Sequence, residues 1–262
     1  ATATGSTTIK TSELAWYGAT QLASTAESAG PTNTALVDAS HTVTVARYAK
    51  QYETTGLASI TDSLGMFQNP AFWVQDSIQS SAMTMTNLIA ALMGSFATVK
   101  GSTGVNLSLA NWFDALSALE LANVSGPYMA ILHPQQYHDL QLALRTEAST
   151  SIAFNPATAE QIAVRGPGFK GNLYGADLFT SAQIPTSGGG ADRAGGVFGA
   201  SAVLWADATP VIDSSADALV VDKTLVAMEY NASTDQKMVV TSKYMGVSEG
   251  IDLAGVSIIT DA

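Results

Sequence analysis

A run of apolar residues at helical spacing between residues 71 and 98 constrains the fold of this 262-residue chain more than any other feature. The steps between these residues are three or four positions, which is the spacing of one face of an α-helix. At 1.5 Å per residue, the helix is predicted to be about 40 Å long. The pattern lacks the apolar heptads and flanking charges of a coiled coil, so we expect a helix that lies against a sheet or a body. The stripe consists of Val74, Ile78, Ala82, Met85, Ile89, Leu92 and Phe96.

Residues 34–70 have the pattern of a β-hairpin. The alternating, β-branched sequence at 42–48 predicts a strand. A polar stretch at 50–56 predicts a turn, and residues 57–60 can form the return strand. We therefore expect a hairpin that projects from the body of the protein.

The first 33 residues are rich in Thr, Ala and Ser. Such a segment has few large apolar residues for a core of its own, so we interpret residues 1–33 as an arm. Trp16 and Tyr17 are large apolar side chains to leave in water. We expect both to pack on a partner or on the body of the protein.

Local signals place helices and a strand in the middle of the chain. Ser108 is a residue type that caps helix N-termini, and apolar residues follow it at helical spacing. Residues 128–132 form a short apolar run, which predicts a buried strand. Pro134 then stands in the first turn of another helix, predicted to end near residue 148, and a helical turn is expected within residues 156–164.

The last part of the chain is predicted to be rich in β structure. Residues 185–196 contain five glycines, and Asp192 and Arg193 are the only charged residues among them, so we expect a flexible loop. Apolar and β-branched runs after this segment predict strands. The strands are predicted at 219–221, 224–230, 238–245 and 256–259.

Charged residues make up only 13% of the sequence, about half of the usual share. Interface cores are depleted in Lys and Glu, so this composition suits an assembly subunit, although a monomer with a neutral surface fits it equally well. The net charge is −11 and the basic residues are dispersed, which argues against binding to nucleic-acid phosphates. The longest apolar stretch, residues 88–99, is too short for a membrane span. We also expect no signal peptide.

The sequence shows no recognisable active site or metal site. It has no cysteine, which excludes disulfides and thiolate ligands. The spacing of His133 and His138 does not place them on one helix face as a metal pair, and His41 is far from both in the sequence. A carboxylate pair such as Asp139 and Glu147 stays open, but such a pair is expected by chance among 22 acidic residues. Neither a nucleophile elbow nor a phosphate loop occurs. We predict a non-enzyme with no catalytic residue, cofactor or metal.

Three segments carry a family resemblance. Residues 126–134 are an apolar strand that ends at a His-Pro pair before a helix, and residues 168–179 are a strand interrupted by glycines. Residues 197–202 are a run of mainly small residues. In this order, after an arm, a hairpin and a long helix, they resemble the major capsid proteins of tailed bacteriophages, which have the Hong Kong 97-type fold.

This resemblance implies an α+β fold with an arm at 1–33, an extended E-loop at 34–70, a spine-helix segment at 71–104, an axial (A) domain at 105–196 and a peripheral (P) domain at 197–262. It implies a subunit that assembles with itself into the hexamers and pentamers of an icosahedral head. Scaffolding, portal and decoration proteins stay open as further partners. The double-stranded DNA would be enclosed but not specifically bound, no membrane is involved, and the virion capsid would be assembled in the host bacterial cytoplasm.

Contacts between subunits are expected from the arm, the E-loop and the glycine-rich segment. Deletion of residues 42–56 is expected to leave the body folded and to abolish shells. Three other functions stay open: the shell of an encapsulin nanocompartment, which has the same fold, a surface-layer, tail-tube or other appendage subunit, and an enzyme with no recognised motif. The predicted contact residues are Trp16, Tyr17, Val43, Val45, Arg47, Tyr48, Lys50, Glu53, Asp192 and Arg193.

Overall fold

The computed structural model describes residues 8–14, 38–57, 70–146, 154–187, 190–210 and 218–261. The helices are α1 (Pro70–Leu92), α2 (Leu109–Leu121), α3 (Pro134–Thr146) and α4 (Ala159–Arg165), with a 3₁₀ turn at Asp252–Ala254. The strands are β1 (Thr8–Leu14), β2 (Asp38–Thr44), β3 (Ala46–Thr55), β4 (Val99–Gly101), β5 (Tyr128–Leu132), β6 (Phe154–Pro156), β7 (Phe169–Leu173), β8 (Ala176–Thr180), β9 (Asp192–Phe198), β10 (Val203–Ala208), β11 (Ala218–Val221), β12 (Thr224–Asn231), β13 (Gln236–Glu249) and β14 (Gly255–Asp261).

The chain forms two compact units. The first unit consists of residues 1–9, 43–88 and 205–248, and the second of residues 10–42, 89–204 and 249–262. Residues 197–262, which the resemblance assigns with the spine helix to the P domain, contribute to both units. The mixture of helices and separate sheets agrees with the predicted α+β class.

The first unit contains a sheet built around the long strand β13. One edge of β13 pairs antiparallel with β3, from Gln236 opposite Thr55 to Met245 opposite Ala46. Its other edge pairs with β12, which pairs in turn with β11. Strand β10 also pairs with β13. The strands predicted at 219–221, 224–230 and 238–245 are therefore confirmed.

The face of α1 that packs on this sheet overlaps the predicted stripe but also includes residues outside it. Trp73 forms a buried cluster with Val239 of β13, and Val74 of the predicted stripe packs against that cluster. One turn further along, the hydroxyl groups of the buried Ser77 and Thr241 are hydrogen-bonded, with 2.5 Å between their oxygen atoms. By contrast, Ala82 of the predicted stripe is exposed. The stripe omitted Ser77, which is buried on the packed face because the sheet offers it a hydroxyl partner.

The helix ends at Leu92, before the predicted end near residue 98. The backbone N–H and the hydroxyl group of Ser95 both donate to the carbonyl oxygen of Leu92, at 3.1 and 2.9 Å. Met93 and Phe96 follow the last helical turn and are buried in the core of the second unit. Phe96, the last residue of the predicted apolar stripe, is therefore buried but lies outside the helix.

The hairpin predicted over residues 42–60 is not formed by the described residues of this range, since residues 42–44 end β2 and Ala46–Thr55 is the separate strand β3. Residues 50–55, predicted as a turn, continue β3, where Lys50 is paired with Thr241. The prediction is wrong because polar side chains are compatible with an exposed edge strand as well as with a turn. Residues 58–60 of the predicted return strand lie outside the described residues. Deletion of 42–56 would remove a strand from the sheet, so it does not separate assembly from folding.

The second unit contains a seven-stranded sheet in the order β4-β14-β9-β5-β8-β7-β6. The pairs β4–β14 and β5–β8 are parallel, and the remaining pairs are antiparallel. Trp112, Leu119, Leu132 and Ile258 are fully buried in its core. The strand predicted at 256–259 is confirmed as part of β14, which lies between β4 and β9.

Local sequence signals explain several elements of this unit. Ser108 accepts a hydrogen bond from the backbone N–H of Asn111 at 3.2 Å, which confirms it as the N-cap of α2. Strand β5 has the predicted bounds, and α3 begins at Pro134 as predicted. The turn expected at 156–164 is α4, which has a capping box that begins at Thr158.

The glycine-rich segment 185–196 is not a loop throughout. Strand β9 begins at Asp192 and pairs with both β14 and β5. At Gly195 a side chain has no room, because a Cβ atom there would lie 2.6 Å from Oε1 of Gln136 and 3.0 Å from the carbonyl oxygen of Ile131. The flexible-loop prediction is therefore wrong for residues 192–196, where glycine permits close packing in a strand.

Gln136, in the first turn of α3, is fully buried and ties that helix to the sheet. Its Oε1 accepts a hydrogen bond from the backbone N–H of His133 at 3.0 Å. Its Nε2 donates to the carbonyl oxygens of Arg193 and Ile258 at 3.0 and 3.2 Å, and to the hydroxyl group of Thr260 at 2.8 Å. One neutral side chain thus connects α3 with β9 and β14.

Candidate intersubunit surfaces

Among the residues that the structure describes, the outer edge of β3 from Ala46 to Thr54 is an open sheet edge in the first unit. Among the described strands, β3 pairs only with β13. Seven of its ten side chains are exposed and none is buried. The strand contains neither Pro nor Gly, so nothing in its sequence interrupts backbone pairing on the open side.

The two faces of β3 carry different side chains. Thr241 is hydrogen-bonded to α1, so Lys50, its partner on β3, lies on the α1 side of the sheet. Tyr52, two residues further on, lies on the same side and contacts Trp73, with ring centroids 4.7 Å apart. Side chains alternate between the two faces of a strand, and Arg47 and Glu53 are an odd number of residues away from Lys50 and Tyr52. Arg47 and Glu53 therefore project from the opposite side.

Lys50 is held by side chains of its own unit. Its Nζ lies 3.0 Å from Oδ2 of Asp76 and 3.1 Å from the hydroxyl oxygen of Ser80, both on α1. The hydroxyl group of Tyr52 donates to the same carboxylate. Beside this network, β3, β13 and α1 border an open cavity of about 260 Å³. Tyr48, Ala49, Lys50, Ser77, Ser80, Ser81, Thr84, Thr241 and Met245 line it.

The predicted contact residues near β3 differ in their exposure. Arg47 and Glu53 are exposed, and Val45 and Tyr48 are half-buried. Val43 is only 3% exposed and packs inside its own subunit, so its side chain offers little surface to a neighbour. A role in subunit contact stays a prediction for the accessible residues of this group.

The other predicted contact residues do not join this surface. Asp192 is 7% exposed, and its Oδ1 accepts a hydrogen bond from the backbone N–H of Gly104 at 2.8 Å. Arg193 is half-buried, and its Nη1 donates to the carbonyl oxygen of Ile184 at 3.3 Å. Both are strand residues that support the second unit. Trp16 and Tyr17 lie outside the described residues.

Sequence reasoning missed an apolar surface on the second unit. Helix α4 has no buried residue, and Val164 on it is 83% exposed. Leu121, at the end of α2, is 81% exposed. Isolated capped helices bury an apolar face when they pack, so an apolar helix without a buried residue indicates an uncovered surface. The apolar residues of α4 are visible in the sequence, but their exposure depends on the tertiary structure.

His133, in the second unit, has a shifted pKa. Burial lowers the pKa of His133, and the nearby charge of Arg193 lowers it further. Within the described ranges, no group of three or more His, Asp or Glu side chains is placed to hold a metal ion. Across those same ranges, no helix combines the length and the hydropathy needed to cross a membrane.

Glu249 has the most unusual carboxyl environment of the second unit. Burial raises its pKa, and a hydrogen bond with the Asp252 carboxyl raises it further, against the opposing effect of the Ser95 hydroxyl group. That hydroxyl group donates to Oε2 of Glu249 at 3.0 Å. The folded protein therefore holds a proton on Glu249 to a higher pH than the unfolded chain does.

Glu249→Gln is expected to raise the melting temperature at pH 7 and to leave it nearly unchanged at pH 4. Since the folded-state pKa lies above the unfolded value, the wild type loses stability as pH rises through this window, whereas glutamine cannot ionise. Thermal unfolding followed by circular dichroism between pH 4 and pH 8 measures the difference. Glu229→Gln, at an exposed position on β12, is the control. An equal gain in both variants, or no gain for Glu249→Gln, would contradict this explanation.

Sequence comparison and structure comparison give different results. No protein-family model matches the chain, and no curated protein sequence matches it. The structure matches the capsid of the cyanophage P-SCSP1u with a TM-score of 0.66 at 10% identity, over 99% of this chain and 85% of that chain. It matches the head of Helicobacter pylori bacteriophage KHP40 with a TM-score of 0.64 at 12% identity, over 99% and 85%.

An encapsulin also has this fold. The SrpI encapsulin complex of Synechococcus elongatus matches with a TM-score of 0.62 at 11% identity, over 99% of this chain and 84% of that chain. The similarity places the chain in an α+β class of fold that is found in protein shells. The particular fold is the Hong Kong 97-type capsid fold, as predicted from the resemblance.

Proposed function

We propose that this protein is the major capsid protein of a tailed double-stranded DNA bacteriophage. The observation that supports this most strongly is the match to phage heads over 99% of this chain and 85% of the phage chains. A partial match would fit a shared domain in a protein with another role. The proposed role is structural and involves no catalytic step.

The proposed function implies that the subunit assembles with copies of itself into the hexamers and pentamers of a closed shell. The first unit would correspond to the P domain and the second to the A domain, with α1 as the spine helix. The low content of charged residues and the apolar surface of α4 support extensive burial between subunits. Scaffolding, portal and decoration proteins would be further partners, and the shell would be assembled in the cytoplasm of the host bacterium.

The excess of acidic residues agrees with a container wall that encloses DNA without binding it. The net charge is −11, so the subunit as a whole repels phosphate groups. Specific recognition of DNA would require clustered Lys and Arg side chains.

The match to SrpI supports a second candidate, the shell of an encapsulin. Both functions require a closed shell, and they differ in what the shell contains. A phage capsid encloses DNA, whereas a nanocompartment encloses protein cargo.

The experiment is to purify the chain and to measure its assembly by light scattering and negative-stain electron microscopy. Closed particles of megadalton mass are expected, with the addition of a crowding agent if the subunit stays small. Analysis of particles isolated from the native source then shows whether they contain DNA, as expected for a phage capsid, or protein cargo, as expected for an encapsulin. Filaments would indicate an appendage subunit, and a small oligomer under all these conditions would contradict both shell functions.

A further inference from the structure

We propose that β3 pairs antiparallel with β3 of a second copy of this chain across a two-fold axis. The two sheets of the first units would then form one continuous sheet. This inference deepens the proposed shell function by naming one contact and its register. It rests on that function for its biological meaning, but its geometry can be tested separately.

The open edge of β3 is unusually long for an exposed edge. Proteins protect exposed edges with short strands, Pro residues, bulges or charged side chains, because unpaired N–H and C=O groups pair with other chains. The only such device among the residues of β3 is charge, at Arg47, Lys50 and Glu53. β3 has ten residues without Pro or Gly, and its register with β13 is continuous from Ala46 to Thr55. Such an edge is suited to strand addition by a partner.

The sequence of β3 is complementary to itself when two copies run antiparallel with Lys50 at the centre. Arg47 then lies opposite Glu53 of the partner copy, and the pair occurs twice because of the two-fold axis. Both side chains are exposed and project from the face away from α1. Opposite charges in directly paired positions stabilise antiparallel strands. No other antiparallel register of β3 with itself brings Arg47 opposite Glu53.

The side chains on the α1 side of β3 are also compatible with this register. Tyr48 lies opposite Tyr52 of the partner copy, which gives two aromatic cross-strand pairs. The two Lys50 side chains meet at the axis, where like charges would repel each other. Each Lys50 is, however, already paired with Asp76 of its own unit at 3.0 Å, so the axis brings together two neutral ion pairs.

The cavity beside β3 supports the same arrangement. Tyr48, Ala49 and Lys50 of β3 form part of its lining. A partner strand added to this edge would place Tyr52 of the partner copy next to Tyr48, which borders the cavity.

The first test is disulfide crosslinking, for which the absence of native cysteine is an advantage. Lys50→Cys places two thiols directly opposite each other at the axis, where paired Cβ atoms are about 5 Å apart. Thr54→Cys is the matched control on the same strand, because its two copies would be eight residues apart, roughly 26 Å. We expect rapid formation of a covalent dimer under mild oxidation for Lys50→Cys alone. Equal crosslinking of both variants, or none for Lys50→Cys, would overturn the proposal.

The second test is charge reversal. Arg47→Glu, introduced with Lys50→Cys, is expected to slow crosslinking at least ten-fold, since Glu would lie opposite Glu. Adding Glu53→Arg to that variant restores opposite charges and is expected to restore the crosslinking rate. Both positions are exposed, and the folding of each variant is to be checked by circular dichroism. A double reversal that crosslinks no faster than Arg47→Glu would overturn the assigned register.

The outcomes separate this contact from the proposed function. Wild-type shells together with no crosslink in Lys50→Cys would leave the shell function in place and reject the β3 contact. A specific crosslinked dimer in a protein that never forms shells would support the contact and reject the shell function.

Discussion

Gln136→Leu is expected to lower the free energy of unfolding by about 3 kcal/mol. Leucine cannot make the hydrogen bonds of the Gln136 side chain, so the buried groups that Gln136 contacts would lose their partner. The backbone N–H of His133 would lose its acceptor. The hydroxyl group of Thr260 would lose its donor inside the core. For a chain of this length, a loss of this size corresponds to a fall in melting temperature of about 10 °C.

Chemical denaturation and thermal unfolding measure this effect. Gln135→Leu is the matched control, since the neighbouring glutamine on α3 is exposed. The control is expected to change the free energy of unfolding by less than about 0.5 kcal/mol. Equal losses in the two variants would show that the hydrogen bonds of Gln136 do not contribute to stability as described.

Gly195→Ala is expected to lower the free energy of unfolding by about 2 kcal/mol through overpacking. The added Cβ would meet Oε1 of Gln136, which is held in place by its hydrogen bonds, and the backbone of Ile131, which cannot move independently of β5. A glycine in a flexible loop would instead tolerate alanine with little change. The substitution therefore distinguishes a strand from a loop at this position.

Gly126→Ala is the control for this substitution. Apart from its neighbours in the chain, its Cβ would meet no heavy atom closer than 3.8 Å, so the change is expected to be nearly neutral. Urea unfolding of both variants gives the comparison. A neutral result for Gly195→Ala would support the flexible loop and contradict the strand.

Elements that depend on local chemistry could be predicted from the sequence. Ser108 caps α2, Pro134 starts α3, and the apolar run of β5 has the predicted bounds. In each case the stabilising interaction lies within a few residues of the signal. The order of such elements was also sufficient to suggest the fold.

Predictions that depend on distant partners were less successful. The buried face of α1 includes Ser77 because Thr241 of β13 provides a hydroxyl partner, and no local pattern reveals that pairing. The glycines of β9 resemble a loop in composition, although Gly195 packs closely against Gln136 of α3 and Gly196 against Met93. The exposure of Arg47 and Glu53 is correctly suggested by their polarity, whereas the burial of Val43 and Asp192 requires the whole fold.

The position of β14 between β4 and β9 has a consequence for the folding kinetics of the second unit. Ser257 pairs with Val99, so two segments that are distant in the sequence must meet before this end of the sheet can close. Until then β4 and β9 each present an unpaired edge, and the loop-closure entropy opposes the encounter. Intermediates with open edges are prone to incorrect strand pairing. Insertion of β14 is therefore expected to limit the folding rate and to end the period in which the unit can aggregate.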